Sequence, residues 1–147
     1  MILDALLRVS NAQALTVTAV STSSVDLGVV DPDREIGTGE PMGFGVFVGV
    51  AADATTGDET YQVNVVSDDD PLLGSVAVLS ERIITAANLA AGAAHFFDLP
   101  IGQPKERYVG LQYVLAGTTP TVTVTAYLMP RSLFSLLAKA YPKNYTP

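Results

Sequence analysis

Alternating apolar and polar side chains over residues 121–128 constrain the fold of this chain more than any other feature. The apolar positions are Val122, Val124, Ala126 and Leu128, and the polar ones are Thr121, Thr123, Thr125 and Tyr127. A β-strand points successive side chains to opposite faces, so this segment predicts a strand with one buried face.

The same period of two recurs along the chain, and turn-rich segments separate its occurrences. Clear patterns lie at residues 44–50, 61–65 and 109–115, and weaker ones at 15–20, 25–29, 76–79, 82–85 and 93–99. In the first of these, Phe44, Val46, Val48 and Val50 form a large apolar face, and the residues between them are mostly small. About eight or nine short strands with turns between them predict an all-β fold, an antiparallel jelly-roll β-sandwich.

The length of 147 residues fits one domain with its own core. We expect three segments: an apolar N-terminal arm over residues 1–13, a jelly-roll domain over 14–129 and a helical C-terminal extension over 130–147. The arm begins with apolar side chains that have little reason to be exposed, and we predict that they dock on a partner. These are Ile2, Leu3, Leu6 and Leu7.

The C-terminal extension switches to helical spacing. Leu133, Leu136, Leu137 and Ala140 share one face, Ser132 is a candidate N-cap, and Pro142 ends the helix. Residues 131–147 contain three bases and no acid (+3), so the other residues carry −7 − 3 = −10. With Phe134, Tyr141 and Tyr145 as further anchors, we predict contacts between chains. The alternative is that the helix packs on its own sandwich.

Few residues of the chain are suited to catalysis or metal binding. There is no cysteine and a single histidine, His95, which we expect to pack against a sheet face. The acidic run 68–70 is either a calcium site or a solvated turn, and its spacing and the following Pro71 favour the turn. We therefore expect no enzymatic activity, no cofactor and no metal.

Net charge and hydropathy patterning exclude two further classes of partner. A formal charge of −7 argues against nucleic acid as the partner, and no segment has the length of apolar chain that a membrane span needs. No base precedes the apolar N-terminal stretch, so we expect the chain to be made and kept in the cytoplasm or in a particle assembled there. The segment Gly37–Pro41, with Thr38 and Glu40, predicts either a contact loop or a simple turn.

Several short motifs, in this order along the chain, resemble the capsid cement proteins of short-tailed bacteriophages. They are Met1-Ile2-Leu3-Asp4, Asn11-Ala12-Gln13-Ala14, Val25-Asp26-Leu27-Gly28, Ile36-Gly37-Thr38-Gly39-Glu40-Pro41, Ser67-Asp68-Asp69-Asp70, Leu79, Leu99-Pro100 and Glu106-Arg107-Tyr108-Val109. The resemblance covers about residues 1–129, and its specificity lies in the order of the motifs.

This resemblance implies a jelly-roll protein on the outer surface of the virion capsid. Such a protein binds the shell of major capsid protein, ties neighbouring capsomers together and acts as a small homo-oligomer, often a dimer, with a trimer also open. The alternative function is a receptor- or glycan-binding jelly-roll module of a phage tail or spike. A third class, a cupin-like enzyme, would need at least two metal-ligating histidines.

Overall fold

The structure, a computed structural model, describes residues 4–29, 36, 39–103 and 105–140. Within them, nine strands are followed by one α-helix, and short 3₁₀ turns lie at Ala5–Leu7 and Ala86–Asn88. The elements are β1 (Arg8–Leu15), β2 (Ala19–Val20), β3 (Val25–Asp26), β4 (Met42–Val50), β5 (Thr60–Asp68), β6 (Ala77–Ile84), β7 (Ala94–Asp98), β8 (Tyr108–Ala116), β9 (Val122–Pro130) and α1 (Arg131–Ala140).

The strands form two antiparallel sheets that pack face to face. The first sheet has the order β1-β9-β4-β7, and the second has the order β2-β8-β5-β6, with β3 also paired to β8. Their inner faces share one apolar core, which is the arrangement of a β-sandwich. The prediction of an antiparallel β-sandwich followed by a short C-terminal helix is confirmed.

The alternation seen in the sequence explains the inner faces of the long strands. Val122, Val124, Ala126 and Leu128 of β9 are all buried in the core. Strand β4 follows its predicted pattern up to Val48, but Val50 is 60% exposed. The pairing of β4 with β9 shifts in register between Val48 and Val50, and this irregularity turns the end of the strand away from the core.

The predicted boundary between the arm and the domain is wrong. Residues 8–13 belong to β1, and Val9 is fully buried, so the arm is at most residues 1–7. The pairing of β1 with β9 shifts register twice, and Ala12 has a φ of 45°. These bulges break the alternation from which a strand could have been predicted.

A buried polar contact fixes this irregular strand to the opposite sheet. The hydroxyls of Ser10 on β1 and Tyr113 on β8 lie 2.8 Å apart, and Ser10 also donates to Gln13 Oε1. Burial raises the pKa of Tyr113, so its hydroxyl stays protonated and able to donate.

One strand replaces two that the sequence predicted over residues 76–79 and 82–85. Strand β6 runs from Ala77 to Ile84, and a register shift against β5 interrupts its alternation in the middle.

Arg82 closes the side of the sandwich where the edge strands β6 and β7 meet. It pairs with the buried Val63, so its side chain starts from the inner face of the sheet. Its guanidinium carbon lies 4.2 Å from the ring centroid of Phe97 on β7, a cation–π contact between the two sheets. Burial lowers the pKa of Arg82, although the nearby Asp98 carboxylate opposes this effect.

No helix in the described part of the chain is long and apolar enough to cross a membrane.

Candidate interaction surfaces

Helix α1 lies on the outer face of the first sheet, where Phe134 makes its main contact. The Phe134 ring packs at centroid distances of 6.0 Å from Phe47 on β4 and 5.2 Å from Phe96 on β7. Aromatic pairs at these distances add to the stability gained from apolar burial. A single large side chain therefore anchors the helix to its own sheet.

Glycines on β4 make room for this contact. An ideal Cβ placed on Gly45 would lie 2.9 Å from Met129 Sδ and 3.0 Å from Phe134 Cδ2. Met129 pairs with Gly43 on the outer face of the sheet, yet it is only 1% exposed. The small residues that alternate with Phe44 and Val46 in the sequence thus form the floor of a second, smaller apolar cluster.

Polar contacts at Arg131 hold the beginning of α1. Its backbone N–H donates to the Pro41 carbonyl at 2.9 Å, and Nη2 lies 2.6 Å from Asp98 Oδ2. The guanidinium carbon is also 4.9 Å from the Phe96 ring centroid. The ion pair is half-exposed and contributes about 0–1 kcal/mol, so apolar packing provides most of the docking energy.

The predicted N-cap at Ser132 is wrong. Helix α1 begins at Arg131, so Ser132 lies inside its first turn. Its hydroxyl donates to Glu40 Oε1 instead. The exposed Glu40, predicted as a contact residue, therefore ties the segment before β4 to the helix.

The predicted inward face of α1 is also wrong in part. Leu133, Phe134, Leu137 and Ala138 are half-buried, whereas Leu136 is 63% exposed. Phe134 fits the glycine floor, and this contact rotates the helix away from the face that leucine spacing alone had indicated.

Residues 131–138 pack on their own sandwich, which is the alternative that the sequence left open. Contacts between chains through this segment stay a prediction, and Tyr141 and Tyr145 lie outside the described residues.

An apolar groove of about 310 Å³ runs beneath the C-terminal half of α1. Its walls include Phe47 and Ala94 from the sheet, Tyr127 from β9, and Leu137 and Ala138 from the helix.

A second surface is formed by one end of the sandwich, which we call the loop end. It consists of the described residues in 4–7, 24–41, 69–78 and 99–107, which include β3 and the first two residues of β6. Hydrogen bonds between segments hold it together. The Leu27 N–H donates to the Arg107 carbonyl at 2.9 Å, and Ser24 Oγ donates to the Pro71 carbonyl at 2.8 Å.

Large apolar side chains are exposed at the loop end. Leu6 is 83% exposed and Leu72 is 79% exposed. Val29, Val78 and Ile101 are also at least half-exposed at this end, where Val78 is the second residue of β6. Leu72 and Ile101 could not be predicted as contact residues, because an isolated apolar residue next to proline in a turn-rich segment gives no periodic signal.

The acidic run 68–70 organises the loop that carries Leu72. The buried Asp68 carboxylate accepts the N–H groups of Ser75 at 2.7 Å and Asp70 at 3.1 Å. These bonds, that from Ser75 foremost, hold the pKa of Asp68 below its usual value. The carboxylate therefore serves as the internal cap of a turn.

Leu73 anchors the same loop from below. It is buried at a φ of 55°, and its Cδ1 would lie 2.6 Å from a Cβ on Gly110 of β8.

Within the described residues, no group of three or more His, Asp or Glu side chains could hold a metal ion.

Asp26 and Arg107 join two further loop-end segments. Arg107 Nε and Nη2 each lie 2.8 Å from an Asp26 carboxylate oxygen, a bidentate pair. Chiefly through this hydrogen bonding, the pKa of Asp26 falls to about 2.

Two of the predicted arm residues can be placed at this end. Asp4 accepts the Leu6 N–H at 2.9 Å and caps the 3₁₀ turn, which leaves Leu6 exposed while Leu7 packs partly against the core. Ile2, Leu3 and Thr38 lie outside the described residues.

His95 lies on β7, half-buried, with its Nε2 at 2.8 Å from the Asn88 carbonyl oxygen. This hydrogen bond ties the edge strand β7 to the 3₁₀ turn before it.

Comparison with known proteins places the chain in a family. No curated protein matches the sequence. The Bbp16 family matches residues 9–128, which is well over half of the chain and includes all nine strands except their outermost ends. The chain therefore belongs to the Bbp16 family, and membership of this family indicates a phage-related protein.

Proposed function

We propose that this protein is a capsid cement protein of a phage. It would bind the outer surface of the major capsid protein shell and stabilise the head by bridging neighbouring capsomers. The observation that carries this proposal is the Bbp16 match over residues 9–128, since it covers nearly the same region as the motifs that resemble cement proteins.

The strand order supports the jelly-roll part of this proposal. If β2 and β3 are counted as one interrupted strand, the eight strands follow the orders 1-8-3-6 and 2-7-4-5 in the two sheets. We infer jelly-roll connectivity from these orders, because they arise when two Greek keys are wound together.

The proposed partners are the major capsid protein and further copies of this chain, as a homodimer or trimer. The proposal includes no enzymatic reaction, cofactor, nucleic acid or membrane. Low charge content and exposed apolar side chains are suited to a protein whose surface is partly covered in an assembly. Weak contacts repeated over a shell then add up through avidity.

Quantitative mass spectrometry of purified phage particles tests this function. A cement protein would be present in a number of copies comparable to that of the major capsid protein. Removing it from the particles should also make the heads less stable. A few copies that co-purify with tails would refute the proposal and support the receptor- or glycan-binding alternative.

A further inference from the structure

We propose that the loop end is the surface that docks on the shell, with Leu72 and Ile101 as its main apolar contacts. The receiving surface would be apolar with a basic rim. This inference rests on the proposed cement function and adds to it the side of the molecule that binds.

The distribution of exposed apolar side chains is the first argument. Among the described residues, nine large apolar side chains are at least half-exposed, and five of them belong to the loop end. Of the other four, Val17, Val50 and Ile83 lie at the opposite end of the sandwich and Leu136 lies on the helix. Exposed apolar side chains that separate segments contribute to one end of a molecule are typical of a protein–protein interface.

The rigidity of the Leu72 loop is the second argument. Leu72 stands between Asp70, which accepts its N–H at 2.9 Å, and Leu73, which is buried on the second sheet. Asp68 holds the other side of the loop through the Ser75 N–H. A side chain held in one position before binding loses little conformational entropy on binding, which raises affinity.

Charge around these side chains is the third argument. The exposed carboxylates of Asp69 and Asp70 lie just before Leu72, and that of Glu106 lies in the segment of Ile101. The same segment has two bases: Lys105 is half-buried, and Arg107 is paired with Asp26. An acidic border around apolar contacts fits a partner with basic side chains around an apolar surface.

Co-sedimentation with purified shells that lack this protein tests the proposal. We expect Leu72→Asp and Ile101→Asp each to weaken binding about tenfold or more, because a buried carboxylate replaces an apolar contact. Ile83→Asp is the matched control, since Ile83 is 72% exposed on β6 at the opposite end. Asp69→Lys tests the charge argument and should weaken binding and reduce its dependence on salt.

The outcomes separate this inference from the proposed function. Wild-type protein that does not bind shells refutes the cement function itself. Wild-type binding that Leu72→Asp and Ile101→Asp leave unchanged overturns the loop end as the docking surface, as does a loss confined to Ile83→Asp. Unchanged binding of Asp69→Lys overturns the basic rim. Leu72→Ser and Ile101→Ser, checked for native circular dichroism, repeat the test without adding charge and should also weaken binding.

Discussion

Alanine substitutions at three glycines of β4 should range from neutral or slightly stabilising at Gly49, through destabilising at Gly45, to most destabilising at Gly43. All three glycines face away from the core, but the space above them differs. A Cβ on Gly49 would lie 3.7 Å from the Thr123 carbonyl oxygen, an ordinary contact. On Gly45 it would displace Met129 and Phe134, and on Gly43 it would collide with a backbone carbonyl.

The contacts set the size of each effect. Replacing a strand glycine by alanine without strain stabilises by about 0.5–1 kcal/mol, so Gly49→Ala should be neutral to slightly stabilising. Overpacking costs roughly 1–3 kcal/mol, which leaves Gly45→Ala destabilised by about 0.5–2 kcal/mol. The backbone carbonyl above Gly43 cannot rotate aside as a methionine side chain can. We therefore expect Gly43→Ala to cost about 3 kcal/mol or more.

Urea denaturation followed by circular dichroism measures these free energies, and hydrogen exchange over residues 131–138 reports whether α1 stays docked. In Gly45→Ala, exchange should accelerate in α1, whereas in Gly49→Ala it should not. Equal stability of the Gly45 and Gly49 variants, or unaltered protection of α1 in Gly45→Ala, would refute the role given to the glycine floor.

Two further predictions concern polar contacts. Tyr113→Phe should lower the free energy of unfolding by about 1–2 kcal/mol, because Ser10 loses its buried partner, and a urea midpoint equal to that of wild type would contradict this. The pKa of Asp26 is about 2 when folded and roughly 3.9 when unfolded, so its stabilising contribution is present above pH ~4 and disappears as the pH falls toward 2. Asp26→Asn should flatten this part of the profile of urea midpoint against pH, and an unchanged slope would show that the pair with Arg107 does not contribute.

The sequence predicted the parts of the fold in which local pattern and tertiary packing agree. Strand β9 could be found because its alternating apolar residues from Val122 to Leu128 all face the core. Strand β1 could not, because its bulges shift the pairing and Ala12 leaves the extended conformation. Local irregularity of this kind is fixed by contacts with distant residues, here by the hydroxyl of Tyr113.

The candidate surfaces could be predicted less well than the fold. Leucine spacing indicated which face of α1 would be buried. Phe134, however, packs against Phe96 on the sheet, and this contact sets the rotation of the helix. The space that receives Phe134 exists because Gly45 has no side chain. Gly45 lies nearly ninety positions earlier in the sequence, so the local sequence of the helix gives no sign of this contact. The exposure of Leu72 depends in the same way on the burial of its neighbour Leu73.

Arg82 affects how neighbouring copies of this protein can pack along the edge strand β6. Edge strands offer unpaired backbone groups, and a crowded array of sandwiches risks fusing into continuous sheets. A guanidinium placed on the inner side of β6 and held against Phe97 would have to be moved or desolvated before another strand could add there. Two copies that approach along β6 would then meet through side chains, and their sheets would not join into one at this edge.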